Sequence, residues 1–147
     1  MKTEHQSQNL RKGRVSQPYQ AYLVTIATRH RYPFFEDHGR ARLVGRIMTD
    51  LESLGACHNW CYVVMPDHCH WMFSLKQRYS LDQTVRMLKS KTSRLAGLSL
   101  WQKGFHDHAL RQETDLLPTA RYVIANPLRA GLVERVGDYP YWNAAWL

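Results

Sequence analysis

Acidic residues are scarce in this chain: 12 Asp and Glu stand against 20 Lys and Arg, a formal charge of +8. An excess of that size suits a polyanionic partner, either nucleic acid or an anionic membrane surface. Long apolar runs are missing as well. None approaches the roughly 18 residues that a membrane span needs, and residues 1–10 are polar, with no signal-peptide core. The expected address is therefore the cytoplasm, with no membrane partner. Cysteine is rare: Cys57, Cys61 and Cys69 form no C-x-x-C pair, and an odd count argues against a disulfide framework. Cys57, His58 and Cys61 sit in a stretch that reads as a buried strand, which disfavours a zinc site there. The chain also lacks a phosphate-binding P-loop, an internal repeat and any low-complexity segment.

What is present fits one domain. The 147 residues are 44% apolar, enough for a hydrophobic core. Residues 1–19 read as a basic arm carrying Arg11, Lys12 and Arg14, and residues 20–147 as a single domain. Residues 21–28 are rich in β-branched and aromatic types and read as a strand. From Asp37 to Leu54 the apolar residues Leu43, Val44, Ile47, Leu51 and Leu54 recur at helical spacing, and Gly55 closes the helix. Residues 57–65 and 68–75 make two strands around the turn signal Pro66–Asp67. Residues 81–96 form a second helix with Leu81, Val85, Leu88, Thr92 and Leu95 on one narrow face. A strand over 105–111 and a helix from Asp115–Pro118 to about Asn126 follow, with Pro127 turning the chain. The aromatic-rich stretch 138–147 is expected to pack back on the domain. The order βαββαβ predicts an α+β fold, a ferredoxin-like split βαβ. Its central antiparallel sheet carries two helices on one face.

The strand 68–75 holds the chemistry. Alternation sends Cys69, Trp71, Phe73 and Leu75 to one face and His68, His70, Met72 and Ser74 to the other. The two imidazoles then lie about 7 Å apart along the strand, within reach of one metal ion. An isolated His-x-His is more often a wet strand surface, so the motif alone is weak. Tyr122 and Asn126 are four residues apart, which on a helix aims a hydroxyl nucleophile and an amide oxygen at one place. The plainer alternative makes Tyr122 a packing residue and Asn126 a cap before Pro127. His106 and His108 share a strand face, and they favour a structural or DNA-contacting role over a second metal site.

The string Met65-Pro66-Asp67-His68-Cys69-His70-Trp71-Met72 resembles the HUH motif, with Cys69 as its buried, inert central residue. Tyr122-Val-Ile-Ala-Asn126-Pro127-Leu-Arg129-Ala-Gly131-Leu132 resembles the catalytic-tyrosine block of the same enzymes. Trp101-Gln102 with Phe105 to Arg111, and Arg11 to Arg14 with Tyr22 to Thr25, resemble two further blocks. Together they are similar to the REP-associated tyrosine transposases, relatives of bacterial insertion-sequence transposases with one catalytic tyrosine.

The resemblance implies His68 and His70 as metal ligands with Asn126 as the third, Mg²⁺ or Mn²⁺ as the ion, and Tyr122 as the nucleophile on a helix near the second sheet face. It implies a nickase and strand transferase working through a 5′-phosphotyrosine. The expected substrate is single-stranded DNA with a palindromic-repeat hairpin. The resemblance also implies a bacterial, nucleoid-associated enzyme, as monomer or homodimer, and a domesticated rather than mobile one. Arg11, Lys12, Arg14, Arg86, Lys89, Lys91, Arg94, Arg111 and Arg129 are the expected DNA contacts. Two other functions remain open: a single-stranded nucleic-acid-binding module without catalysis, and a zinc hydrolase, disfavoured because no carboxylate stands on the histidine face.

Overall fold

The middle strand, β3 (His68–Leu75), is apolar on one face throughout: Cys69, Trp71, Phe73 and Leu75 are all buried. It pairs antiparallel with β1 (Ala21–Ala27) on one side and β2 (Cys57–Met65) on the other. The computed structural model describes residues 20–146, so the expected arm with Arg11, Lys12 and Arg14 lies outside the described residues. Two edge strands complete the sheet, β4 (His106–Leu110) beside β1 and β5 (Trp142–Ala144) beside β2. The order is β4-β1-β3-β2-β5, with every neighbouring pair antiparallel. The first four strands have the ferredoxin-like arrangement read from the element order. The fifth is added by the aromatic C-terminal stretch, where the Tyr139 hydroxyl donates to the Val64 carbonyl.

Two helices cover the apolar face of β3. Helix α1 (His38–Ser53) starts where the Asp37 carboxylate accepts from the Arg40 N–H and ends before Gly55 at φ 88°. It buries Ala41, Val44, Ile47, Met48 and Leu51. Helix α2 (Leu81–Ala96) starts with a capping box between Ser80 and Gln83 and ends at Gly97, φ 77°. Its inner face is Leu81, Thr84, Val85, Leu88 and Thr92. Leu95 departs from expectation: it is 55% exposed. An α-helix drifts against a strict seven-residue repeat by about 20° per heptad, and two heptads after Leu81 the stripe has turned outward. Leu95 instead lines an open groove with Arg42, Arg46 and Tyr62. Thr92 stays inside because its hydroxyl donates to the Leu88 carbonyl and accepts from Trp101 Nε1.

The other face of the sheet is covered too. Helix α3 (Leu116–Ile124) lays Ala120 and Val123 against Cys61, Val63, Met65 and Met72, with Tyr139 and Ala144 completing this second core. A β-bulge between Asn59 and Cys61 makes this possible. The extra residue inverts the strand, so Cys57 faces the α1–α2 core and Cys61 faces α3. Asn59, still on the helix side, accepts from Trp71 Nε1 and donates to the Met48 carbonyl. Cys57 and Cys61 thus point to opposite sides of the sheet and share no ligand. No helix of the described residues is long and apolar enough to cross a membrane.

All three thiols are buried, and burial pushes each up to about 12. The thiolate is the reactive form. An aromatic disulfide reagent at pH near 8 is therefore expected to react with the native protein no faster than it unfolds, with all three thiols released together in denaturant. Fast reaction of one thiol in the native state would contradict this packing.

Candidate active site

The Pro66–Asp67 turn sets the position of the first histidine. It is pinned from outside: the Thr28 N–H and hydroxyl both donate to the Asp67 carbonyl, at 2.9 and 3.0 Å, and the Phe35 N–H donates to the Pro66 carbonyl at 3.0 Å. His68 and His70 leave β3 on the same side, with ring centroids 4.9 Å apart and planes at 83°. Each ring is held through Nδ1. His68 Nδ1 lies 2.8 Å from Asp67 Oδ1, and His70 Nδ1 lies 2.9 Å from the Thr25 hydroxyl, its partner across β1. A carboxylate can only accept, so His68 carries a proton on Nδ1, and its Nε2 makes no hydrogen bond among the described residues. Thr25 can accept likewise from His70. A carboxylate or hydroxyl on one ring nitrogen, leaving the other for an ion, is the arrangement that metal-ligating histidines use.

The surroundings of His70 favour its neutral ring. Burial, with the nearby His68 and Arg129, depresses His70 to about 4. Burial alone would raise the Asp67 carboxyl, but the His68 hydrogen bond and the Arg31 guanidinium bring it below its ordinary value. Arg31 Nε is 3.1 Å from Asp67 Oδ2. Two consecutive non-glycine residues in left-handed backbone, His30 at φ 56° and Arg31 at φ 55°, turn the chain there.

Tyr122 stands on α3, on the histidine side of the sheet, and is 60% exposed. The Arg129 guanidinium carbon lies 3.8 Å from its ring centroid. Asn126 is not on the Tyr122 helix: α3 ends at Ile124, and Asn126 opens a separate turn, α4 (Asn126–Arg129). The cause is Pro127, which has no N–H for the Val123 carbonyl four residues back. The Asn126 side-chain amide supplies the missing donor, at 3.1 Å. Its oxygen has no hydrogen-bond partner among the described residues. The structure thus gives Asn126 the capping role, and leaves one oxygen for an ion.

The expected DNA contacts divide. Arg111 and Arg129 are exposed. Arg86, Lys89, Lys91 and Arg94 are all on α2, which covers the sheet face opposite the histidines. Lys89 is spent on the Gln102 and Gly104 carbonyls at 3.0 and 2.6 Å and ties down that loop. His106 and His108 are exposed, and pairing with Thr25 and Leu23 puts them on the histidine face with β1 between. Among the described residues no three His, Cys, Asp or Glu gather as a metal cluster. Three supporting residues escaped the sequence reading. Asp67 was detectable as the residue before His68, Thr25 only through the strand register, and Arg31 through no sequence signal.

Residues 16–123 match the family model described as transposase IS200 like. The REP-associated tyrosine transposase of Escherichia coli (strain K12) is 30% identical over 82 residues, covering 54% of this chain and 50% of that protein. A putative REP-associated tyrosine transposase of Haemophilus influenzae is 26% identical over 94 residues, covering 53% of each. The chain thus spans about half the length of the curated relatives it matches. A solved REP-associated tyrosine transposase bound to a REP hairpin superposes with TM-score 0.75 at 22% identity, over 86% of this chain and 78% of that one. A putative transposase from Deinococcus radiodurans gives 0.55 at 18%, over 73% and 91%. These two likenesses establish the fold.

The His70 ring makes acid stability a direct check on the metal-free protein. Its protonation lies at about 4 when folded against 6.5 for an unperturbed ring. Between those values the unfolded chain binds the extra proton, so stability falls as pH drops through the window. The expected loss is about 2 kcal/mol, less than the full separation implies because the ring is only partly buried. Urea midpoints across the window should fall more steeply for the wild type than for His70→Gln. Equal slopes would show that His70 is not desolvated.

Proposed function

Because the chain belongs to the IS200-like transposase family, we propose that it is a metal-dependent nickase and strand transferase acting on single-stranded DNA through Tyr122. The observation that carries this reading is the pair of histidines held by Nδ1 with both Nε2 atoms unspent, on the sheet face that also carries an exposed tyrosine. A solvent-facing pair without a role needs no such support from a turn, a cross-strand hydroxyl and a carboxylate.

His68 and His70 fit a divalent ion, with the Asn126 oxygen as third donor. With neutral side chains as donors, the site would stay cationic and would have room for a phosphate oxygen. They suit Mg²⁺ or Mn²⁺, and the lack of a third His, Cys or carboxylate weighs against a zinc hydrolase. When bound, the ion supplies Lewis-acid relief of charge on a non-bridging phosphate oxygen. The Tyr122 oxygen attacks phosphorus, losing its proton. The bond to the 3′ oxygen breaks, and that oxygen takes up a proton as a free 3′-OH. The phosphate stays on Tyr122 through its 5′ side. One ester replaces another, so the strand can be rejoined without ATP. Asp67 holds the His68 ring, and Arg31 keeps Asp67 ionised.

A hairpin-bearing single strand is the proposed substrate, since a structural relative is bound to a REP hairpin. Arg111, with Arg11, Lys12 and Arg14, would hold backbone phosphates, whereas the α2 basic residues lie on the face away from the histidines and Arg129 is turned onto Tyr122. The expected location is the nucleoid, for a monomer or a homodimer.

Incubation with Mn²⁺ or Mg²⁺ and labelled oligonucleotides carrying palindromic repeats should give a covalent protein–DNA band on a denaturing gel. Tyr122→Phe should abolish it, and His68→Ala should reduce it by at least about 100-fold. DNA binding without an adduct, under every metal and repeat, would move the assignment to a non-catalytic nucleic-acid-binding module. Asp67→Asn should weaken Mn²⁺ binding, read by calorimetry without DNA, about 10- to 100-fold. Unchanged affinity would mean that the Asp67 charge does not support the His68 ring as a ligand.

A further inference from the structure

Arg129 is exposed, yet its guanidinium turns back onto the tyrosine. Its carbon lies 3.8 Å from the Tyr122 ring centroid, and Nη2 donates to the Tyr122 carbonyl at 2.7 Å. These contacts cross the break at Ala125, since Tyr122 is on α3 and Arg129 is the last residue of α4. The Tyr122 hydroxyl makes no hydrogen bond among the described residues, and the ring is largely in solvent. What fixes its direction is one flat cation stacked on one face. A planar guanidinium can stack and donate at once, whereas a lysine ammonium is a point charge without a stacking plane.

We propose that Arg129 is a positioning residue, which clamps the Tyr122 ring and the end of its helix so that the hydroxyl is presented to the scissile phosphate. The inference rests on Tyr122 being the nucleophile. Its physical basis is geometric: attack requires the reacting oxygen in line, and a displacement of about 1 Å can cost about 100-fold in rate. Pro127 supports the clamp by starting the turn that brings Arg129 back over α3. Asn126 holds the junction by capping Val123.

The test uses Arg129→Ala and Arg129→Lys in the whole protein, with two readouts. The first is the NMR signal of ¹³C-labelled tyrosine rings without DNA, with Tyr122 assigned by Tyr122→Phe. Its ring resonances should move toward those of an unstructured tyrosine in both variants, with unchanged melting temperature. The second is the single-turnover rate of adduct formation at saturating DNA. It should fall about 10- to 100-fold in both variants, with DNA affinity little changed and no rescue by lysine. Unmoved Tyr122 resonances would overturn the proposal. So would a wild-type rate in Arg129→Lys, which would make Arg129 a plain phosphate-binding charge. If the wild-type protein forms no adduct at all, the proposed function fails, and the ring resonances still decide whether Arg129 holds Tyr122.

Discussion

The register between β1 and β3 is the constraint on which the rest of this molecule depends. It sets Thr25 opposite His70 and Ile26 opposite Cys69. Side chains alternate along a strand, so one register sends Cys69, Trp71, Phe73 and Leu75 of β3 under α1 and α2, and Met72 with both imidazoles to the other side. A slip by one residue would expose Trp71 and Phe73 and bury the histidines in hydrocarbon. The energy that specifies the site is therefore mostly the energy of the core behind it. Each fully buried apolar side chain contributes about 1.5–3 kcal/mol, while the hydrogen bonds that orient the rings contribute about 1 kcal/mol each. The core fixes which face the rings occupy, and Thr25 and Asp67 then fix only their rotation.

The second face has to be wet at one end and dry at the other. Along β3 it runs from His68 and His70 through buried Met72 to Ser74, which accepts from Trp60 Nε1. The bulge at Trp60 turns β2 over so that Cys61, Val63 and Met65 can meet α3 here. Without it alternation would present Trp60, Tyr62 and Val64 to that helix in place of Cys61, Val63 and Met65. The helix that carries Tyr122 is docked by this small second core, built on Val123 and Ala120, and not by the main one. The proposed nucleophile and the histidines are thus supported from two different cores, and they are joined where Arg129 reaches over.

Much of this was legible in the sequence, because alternation and helical spacing are local signals. The strand alternation of 68–75, the Pro66–Asp67 turn, both long helices and Gly55 as a terminator all follow from neighbours in the chain. What was less legible lies where local rules meet tertiary ones. Leu95 belonged to a clean heptad pattern that geometry carries out of the core. Asn126 looked one helical turn from Tyr122 until the missing N–H of Pro127 gave its side chain other work. The basic residues of α2 were legible as a cluster, but which face of the sheet their helix covers was not, since that is set by packing at a distance. Thr25 is visible only through a pairing partner 45 positions away, and Arg31 only through a backbone conformation that its residue type disfavours.

The stretch His106-Asp107-His108 takes its meaning from where β4 lies. It is the terminal strand of the sheet, five residues long, while the opposite end is closed by the three-residue β5. A terminal strand offers unpaired N–H and C=O groups to any other chain, and long apolar ones recruit further strands. Here that border is short and studded with ionisable groups that an incoming strand would have to desolvate. The two borders of the sheet are thus guarded by different means, brevity at β5 and polarity at β4. Such guarding keeps an open-sided protein from growing its sheet through its own copies, which matters most while the chain is still folding.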